Sequence, residues 1–216
     1  MNKPLDNWPA LRTSSTEMAE HILCSTFGAR NFEAASTREE FCAHANYKQL
    51  SALSLSYCSY TRPVTIEFPE APFFRQAFSV VGAGMFFIGD REYMISAERS
   101  AVVHPGVPLR AEFSGDFEQL LLRIDESTLA RKLSALVETP MDSKIEIVPR
   151  HEDGTGFAAL QRLVSYLAGE ISAPDTALAA PALAELEQAV LVAFLYANLS
   201  VQARVASCIF QVTDQV

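Results

Sequence analysis

The stretch VVGAGMFFIGDREYMISAERSAVVHPGVPL, residues 80–109, decides how this chain is read. Gly82 and Gly84 open a short alternating run, Gly89-Asp90 makes a turn, and Pro105-Gly106 closes the last segment. Between those corners, residues 93–95 and 101–103 read as further strands. Strands this short, cornered by Gly and Pro, predict a small antiparallel barrel or sandwich. Such a barrel matters for what it encloses. Neither a metal-ligand cluster nor a nucleophile constellation accompanies it, so the expected content is a bound effector rather than a reaction centre.

The same chemistry extends on both sides, from residue 31 to residue 124. Strands are predicted at 52–60, 64–68, 73–81, 85–88, 92–95, 100–104, 110–114 and 118–124, separated by Thr61-Arg62-Pro63, Pro69 to Pro72, Gly89-Asp90, Pro105 to Pro108 and Ser114-Gly115-Asp116. Ahead of them, residues 14–27 read as a helix, with Ser14 and Glu17 at capping-box spacing and Met18, Ile22, Leu23 and Phe27 at helical intervals. Beyond Asp125 the apolar period changes. Leu129, Leu133, Leu136 and Val137 mark a helix from about Ser127, and Leu160, Leu163, Val164 and Leu167 a second over 156–171. Residues 174–181 read as a linker, and a third helix covers 182–198. The fold class is therefore α+β: an antiparallel cupin-like, jelly-roll β-barrel followed by a C-terminal bundle of helices. The expected boundaries are 1–125 for the N-terminal helix and barrel, 126–200 for a helical dimerisation and linker region, and 201–216 for a tail.

The third helix carries Leu183, Leu186, Val190, Leu191 and Phe194 with few charges. An apolar arc that wide predicts burial on two sides, one against its own domain and the other in a homodimer. Glu185 and Glu187 on the same helix, and Glu67 and Glu70 beside Pro69, read as solvated carboxylates.

Composition sets outer limits. At 216 residues, 49% hydrophobic and 20% charged, the chain is an ordinary globular one. It has no run of roughly 18 uninterrupted apolar residues, and Asp6 and Glu17 interrupt any signal-like N-terminus, so neither a membrane span nor a signal peptide is expected. Net charge is −9, without the basic footprint that binding to DNA or an anionic membrane needs. Cys24, Cys42, Cys58 and Cys208 show no CxxC spacing and fit reduced thiols in a cytoplasmic protein.

Candidate site residues come from the barrel strands. Tyr57, Tyr60, Phe68, Phe73, Phe74, Phe78, Phe86, Phe87 and Tyr93 crowd its first half. Most are expected to fill the core, and some to line a pocket for an apolar or aromatic compound. Arg75 lies in the otherwise apolar FFRQAFSVV, and Arg110 follows on the strand after His104. If both faced the lumen, they would favour a carboxylate or phosphate ligand. The expected effector contacts are Tyr57, Phe73, Arg75, Phe86, His104 and Arg110. No cofactor and no metal are expected: His104 and His151 lie far apart and no HxH pair exists.

The order of these segments resembles the N-terminal effector-binding and dimerisation domain of AraC/XylS-type transcription regulators, in the AraC-binding-like branch. The resemblance is carried by LSALSLSYCSYTRPVTIEF (51–68), GAGMFFIGDREYMISAERSAVVHPGVPLRAEFSGDFEQLLLRI (82–124), STLARKLSALVETPM (127–141) and LAELEQAVLVAFLYANLS (183–200). The chain departs from it at Ala97-Glu98-Arg99, where the family usually has a Pro-Gly-Asp-like turn. Members normally continue after the equivalent of Asn198-Leu199-Ser200 into paired helix-turn-helix motifs. Between Ala184 and Val216 the sole basic residue here is Arg204, so no DNA-reading helix is expected in this stretch and no DNA binding by this chain alone. The resemblance implies a cytoplasmic, dimeric, non-enzymatic sensor of a small organic effector that controls a separate DNA-binding domain. Two alternatives stay open: a cupin-like small-molecule isomerase or oxygenase, and a dimerisation module whose barrel holds nothing.

Overall fold

The computed structural model describes residues 3–138, 145, 147, 150–152, 155–173 and 178–199; Cys208, Arg204 and the expected tail lie outside them, as do residues 174–177 of the expected linker, whose last two residues belong to a helix instead. In chain order the elements are β1 (Pro9–Thr13), α1 (Thr16–Phe27), β2 (Asn31–Ala34), β3 (Ala43–Gln49), β4 (Ser54–Tyr60), β5 (Val64–Phe68), β6 (Phe73–Val81), β7 (Gly84–Ile88), β8 (Arg91–Ile95), β9 (Arg99–Val103), β10 (Leu109–Phe113) and β11 (Phe117–Asp125). Then follow α2 (Glu126–Val137), β12 (Arg150–Glu152), α3 (Thr155–Ser172) and α4 (Ala180–Asn198).

The strands form two antiparallel sheets. One has seven strands in the order β1-β3-β4-β11-β6-β9-β12, the other five in the order β2-β5-β10-β7-β8. This is the expected α+β, cupin-like arrangement, built as two facing sheets. The eight strands expected from residue 52 onward are present, each with ends within two residues of the expected ones. Four more were not anticipated: β1, β2, β3 and β12. Three of them, PALRT, NFEA and AHANYKQ, have few of the β-branched residues that mark a strand.

The larger sheet is buried on both faces, and all seven residues of β4 are inside. Its inner face meets the five-stranded sheet in one core, containing Cys58, Ala77, Leu121, Ile66, Phe86, Ala111 and Phe113, closed at one side by Leu23 and Phe27 of α1. Its outer face forms a second core with the C-terminal helices, through Tyr57, Phe74, Phe78, Leu120, Leu122, Leu133, Leu160 and Phe194. The period of two along each strand sorts residues between these cores.

Three local expectations need correction. The N-cap of α1 is Ser15, not Ser14: its Oγ accepts from the Met18 backbone N–H at 3.1 Å and donates to Glu17 Oε2 at 2.7 Å. Glu187 is buried, and its carboxylate accepts from Ser51 Oγ and from the Ala52 N–H, pinning α4 to the β3–β4 turn. Finally, Val190, Leu191 and Phe194, expected in a dimer interface, are at most 1% exposed inside the chain's own helix-side core. Those three residues thus meet this same chain, while Leu183 and Leu186 are half-buried at the edge of the core and Ala189 and Tyr196 are exposed. By length and composition α4 would also be long enough to cross a membrane, yet its most apolar turn is part of this core.

Candidate functional site: a cavity between the sheets

The inner core is incompletely filled. A cavity lies between the sheets, walled by Leu23 and Phe27 of α1, Ser56, Cys58 and Tyr60 of β4, Ile66 and Phe68 of β5, and Arg75 of β6. Phe86 of β7, Leu109, Ala111 and Phe113 of β10, and Gln119, Leu121 and Arg123 of β11 complete it. Its free volume is about 20 Å³, room for roughly one water molecule.

Besides the Tyr60 hydroxyl and the Cys58 thiol, four polar residues interrupt the apolar walls, and each of these four carries an unsatisfied atom. Among the described residues, Ser56 Oγ, Gln119 Oε1, Arg75 Nη1 and Arg123 Nε are buried without a hydrogen-bond partner. Native interiors leave few such groups, and four of the eight found among the described residues lie on residues lining this one cavity.

The arginines dominate the electrostatics. Arg75 and Arg123 are direct cross-strand partners in the β6–β11 ladder. Arg75 is 4% exposed and donates from Nη2 to the Pro69 carbonyl at 3.1 Å. Both guanidiniums stack on Phe73, at 5.1 and 5.2 Å from its centroid; Arg75 also covers Phe68 and Arg123 covers Phe27. The ion pairs among the described residues are Asp6–Arg12 and Arg110–Glu112, so neither cavity arginine has a carboxylate partner. Burial, then repulsion from Arg123, pushes Arg75 down to about 10, and burial lowers Arg123 as well. Both stay charged at neutral pH.

Of the six expected effector contacts, the structure brings Arg75 and Phe86 to the cavity, and Phe73 to its rim as the ring shared by the two arginines. The other three are elsewhere. Tyr57 is fully buried but on the helix side of β4, because Ser56 and Cys58 take the inner face. His104 packs edge-on to Phe74 on that same helix side, its Nε2 3.2 Å from the Ile147 carbonyl. Arg110 points outward, exposed and paired with Glu112.

Sequence reasoning passed over Arg123. The available signal was its pairing: LLLRI runs antiparallel beside FFRQA, which puts a second arginine opposite Arg75. It also passed over Ser56 and Gln119, small polar residues amid apolar strands.

Nucleophilic chemistry finds little here. Burial pushes the Cys58 thiol up to about 11, which keeps it protonated. Burial likewise raises the Tyr60 hydroxyl well above its ordinary value. Among the described residues no three His, Cys, Asp or Glu side chains gather as metal ligands, and the side chain of His151 lies outside those described.

The AraC-binding-like domain model matches residues 19–196 of this sequence. Among curated proteins, none matches it. Similar solved structures include the AraC-like transcriptional activator CuxR, at 11% identity and a TM-score of 0.63, covering 90% of this chain and 73% of that one. A cupin superfamily protein from Desulfitobacterium hafniense DCB-2 aligns at 14% identity and a TM-score of 0.35, over 42% of this chain and 83% of its own. A predicted oxalate decarboxylase from Thermotoga maritima aligns at 14% identity and 0.38, over 55% of this chain and 92% of its own. At such identities the likeness to CuxR speaks to fold alone. The family match, by contrast, takes in every strand but β1 and nearly all of the four helices, and by it the chain belongs to the AraC-binding-like domain family.

Proposed function

We propose that this domain senses a small organic effector held between its two sheets and controls transcription through a separate DNA-binding unit. The supporting observation is the cavity: apolar walls with four orphaned polar atoms, inside a domain of a regulator family. Binding sites have this make-up, mostly apolar with a few convergent polar groups. We read it as a binding module rather than an enzyme, since its thiol is held protonated and its polar groups include no general base. The free thiols Cys24, Cys42 and Cys58 suit a cytoplasmic location. A homodimer is part of the proposal, formed over the edge where Leu183 and Leu186 are half-buried and Tyr166 and Tyr196 are 52% and 40% exposed.

The test is thermal unfolding of the chain against a library of small acids, amides, sugars and aromatic compounds. A ligand of the folded state raises the melting temperature with its concentration. Ala111→Phe, which fills the cavity from β10, should abolish the rise for any genuine hit. Hits that survive this change, or a library without hits, would sink the proposal. Light scattering at micromolar concentration checks the dimer, and a monomer would remove that part.

A further inference from the structure

We propose that the cavity binds a small monocarboxylic acid, its carboxylate clamped between Arg75 and Arg123 and its apolar body against Phe27, Phe68 and Phe86. This rests on the reading of the cavity as the effector site and names the class of molecule it takes.

Charge carries the first step. Arg75 and Arg123, paired across β6 and β11 and both stacked on Phe73, have no carboxylate partner among the described residues and repel each other in a low-dielectric interior. Buried charges in proteins are ordinarily paired. The missing partner here is an anion, and the cavity is the space that both arginines border.

Donor geometry carries the second step. Arg75 Nη1 and Arg123 Nε are the orphaned cationic donors at the cavity, and a carboxylate brings one oxygen for each. A phosphate brings more oxygens than these donors satisfy, and the rest would be stranded against Leu23, Ile66 and Ala111. A second carboxylate on the ligand would meet the same apolar walls. The β4–β11 register puts Ser56 opposite Leu121 and Gln119 two residues further from Arg123, so Ser56 Oγ and Gln119 Oε1 border the same cavity.

A way in is also present. An outer groove of about 420 Å³ borders the cavity, and the two share only Phe68 and Leu109. Arg30 and Arg110 line that groove, with Glu67 opposing them. Since the cavity holds about one water, the acid's body enters by displacing Phe68, which now lies on Arg75.

The experiment measures melting temperature of the full chain with sodium benzoate, sodium hexanoate, benzamide, hexanamide and inorganic phosphate, at ionic strength matched with sodium chloride. An acid at a hundredfold excess over its Kd should raise the melting temperature by roughly 5–10 °C. Each amide should need about 10–100 times the concentration for the same rise. Arg75→Gln and Arg123→Gln should each lose the response to acids while still unfolding in one cooperative transition without ligand, since the relief of like-charge repulsion offsets part of the lost ring stacking and, for Arg75, of the lost bond to Pro69. Arg123→Lys, which keeps the charge, should retain part of the response. Amides or phosphate matching the acids, or acids unaffected by both glutamine variants, would overturn the clamp. A neutral hit that Ala111→Phe abolishes would then leave the effector cavity standing without it.

Discussion

Asn198, the last residue of α4, donates from Nδ2 to Gln76 Oε1 at 3.1 Å inside the helix-side core. Gln76 in turn donates to Ser100 Oγ at 3.2 Å, which donates to the Ala77 carbonyl at 2.8 Å. Gln76 sits between Arg75 and Ala77, whose side chains face the other core. One strand, β6, thus touches the cavity with one residue and the end of α4 with the next. Asn198→Leu would leave Gln76 buried and short of a partner, at a cost of about 1–3 kcal/mol. A urea-unfolding cycle over Asn198→Leu, Gln76→Leu and the double change should give a coupling of about 0.5 kcal/mol or more. Additive changes would mean the two side chains do not act as a unit.

Glu187 provides a second tie. Its oxygens accept from Ser51 Oγ at 3.0 Å and from the Ala52 N–H at 2.7 Å. Glu187→Ala strands both donors and should lower stability by about 2–4 kcal/mol, while Ser51→Ala removes one hydrogen bond and should cost about 1 kcal/mol. Equal losses from the two, read from urea midpoints, would show that the backbone contact contributes nothing.

Gly84 sets how closely β7 approaches β10. A Cβ there would lie 2.6 Å from Phe113 Cδ1 and 3.1 Å from the Glu112 carbonyl. Phe113 is held by ring contacts, stacked on Phe117 at 4.4 Å and on Tyr60 at 6.1 Å. Gly84→Ala should therefore destabilise by about 1–3 kcal/mol, as overpacking does. Gly89→Ala adds a Cβ into open space but at φ +62, so its cost is backbone strain alone. A Gly84→Ala protein as stable as the parent would mean that the strands can separate without loss.

Those glycines show what was legible in the sequence. Turn chemistry and short apolar runs located the central strands and therefore the fold. Side-chain facing was not legible, for a physical reason. A strand buried on both faces is apolar throughout, so alternation carries no phase. In FEQLLLRID the leucines fall on both faces, and nothing local says that Arg123 turns inward. In SLSYCSY the polar Ser56 faces the cavity and the larger Tyr57 the helices, the reverse of what size and polarity suggest. The width of the apolar arc on α4 was legible too, but not which of its residues meet the chain's own core, where Val190, Leu191 and Phe194 lie.

The final expectation concerns pH. Burial lowers the pKa of His104, and the Ile147 carbonyl and Glu126 oppose that only in part. His44 is lowered too, first by burial and then by Lys3 and Arg12. A histidine depressed in the folded state takes up its proton more readily when unfolded, so the unfolded chain binds more protons as pH falls. The stability each contributes is whole above the unfolded value of about 6.5 and is lost as pH drops toward the folded one. The urea midpoint should be level between about pH 7 and 8 and decline from about 6.5 downward. His104→Gln and His44→Gln should each make that decline shallower, and together shallower still. A decline of unchanged steepness in the double variant would assign the acid sensitivity to other groups and remove both histidines from the account.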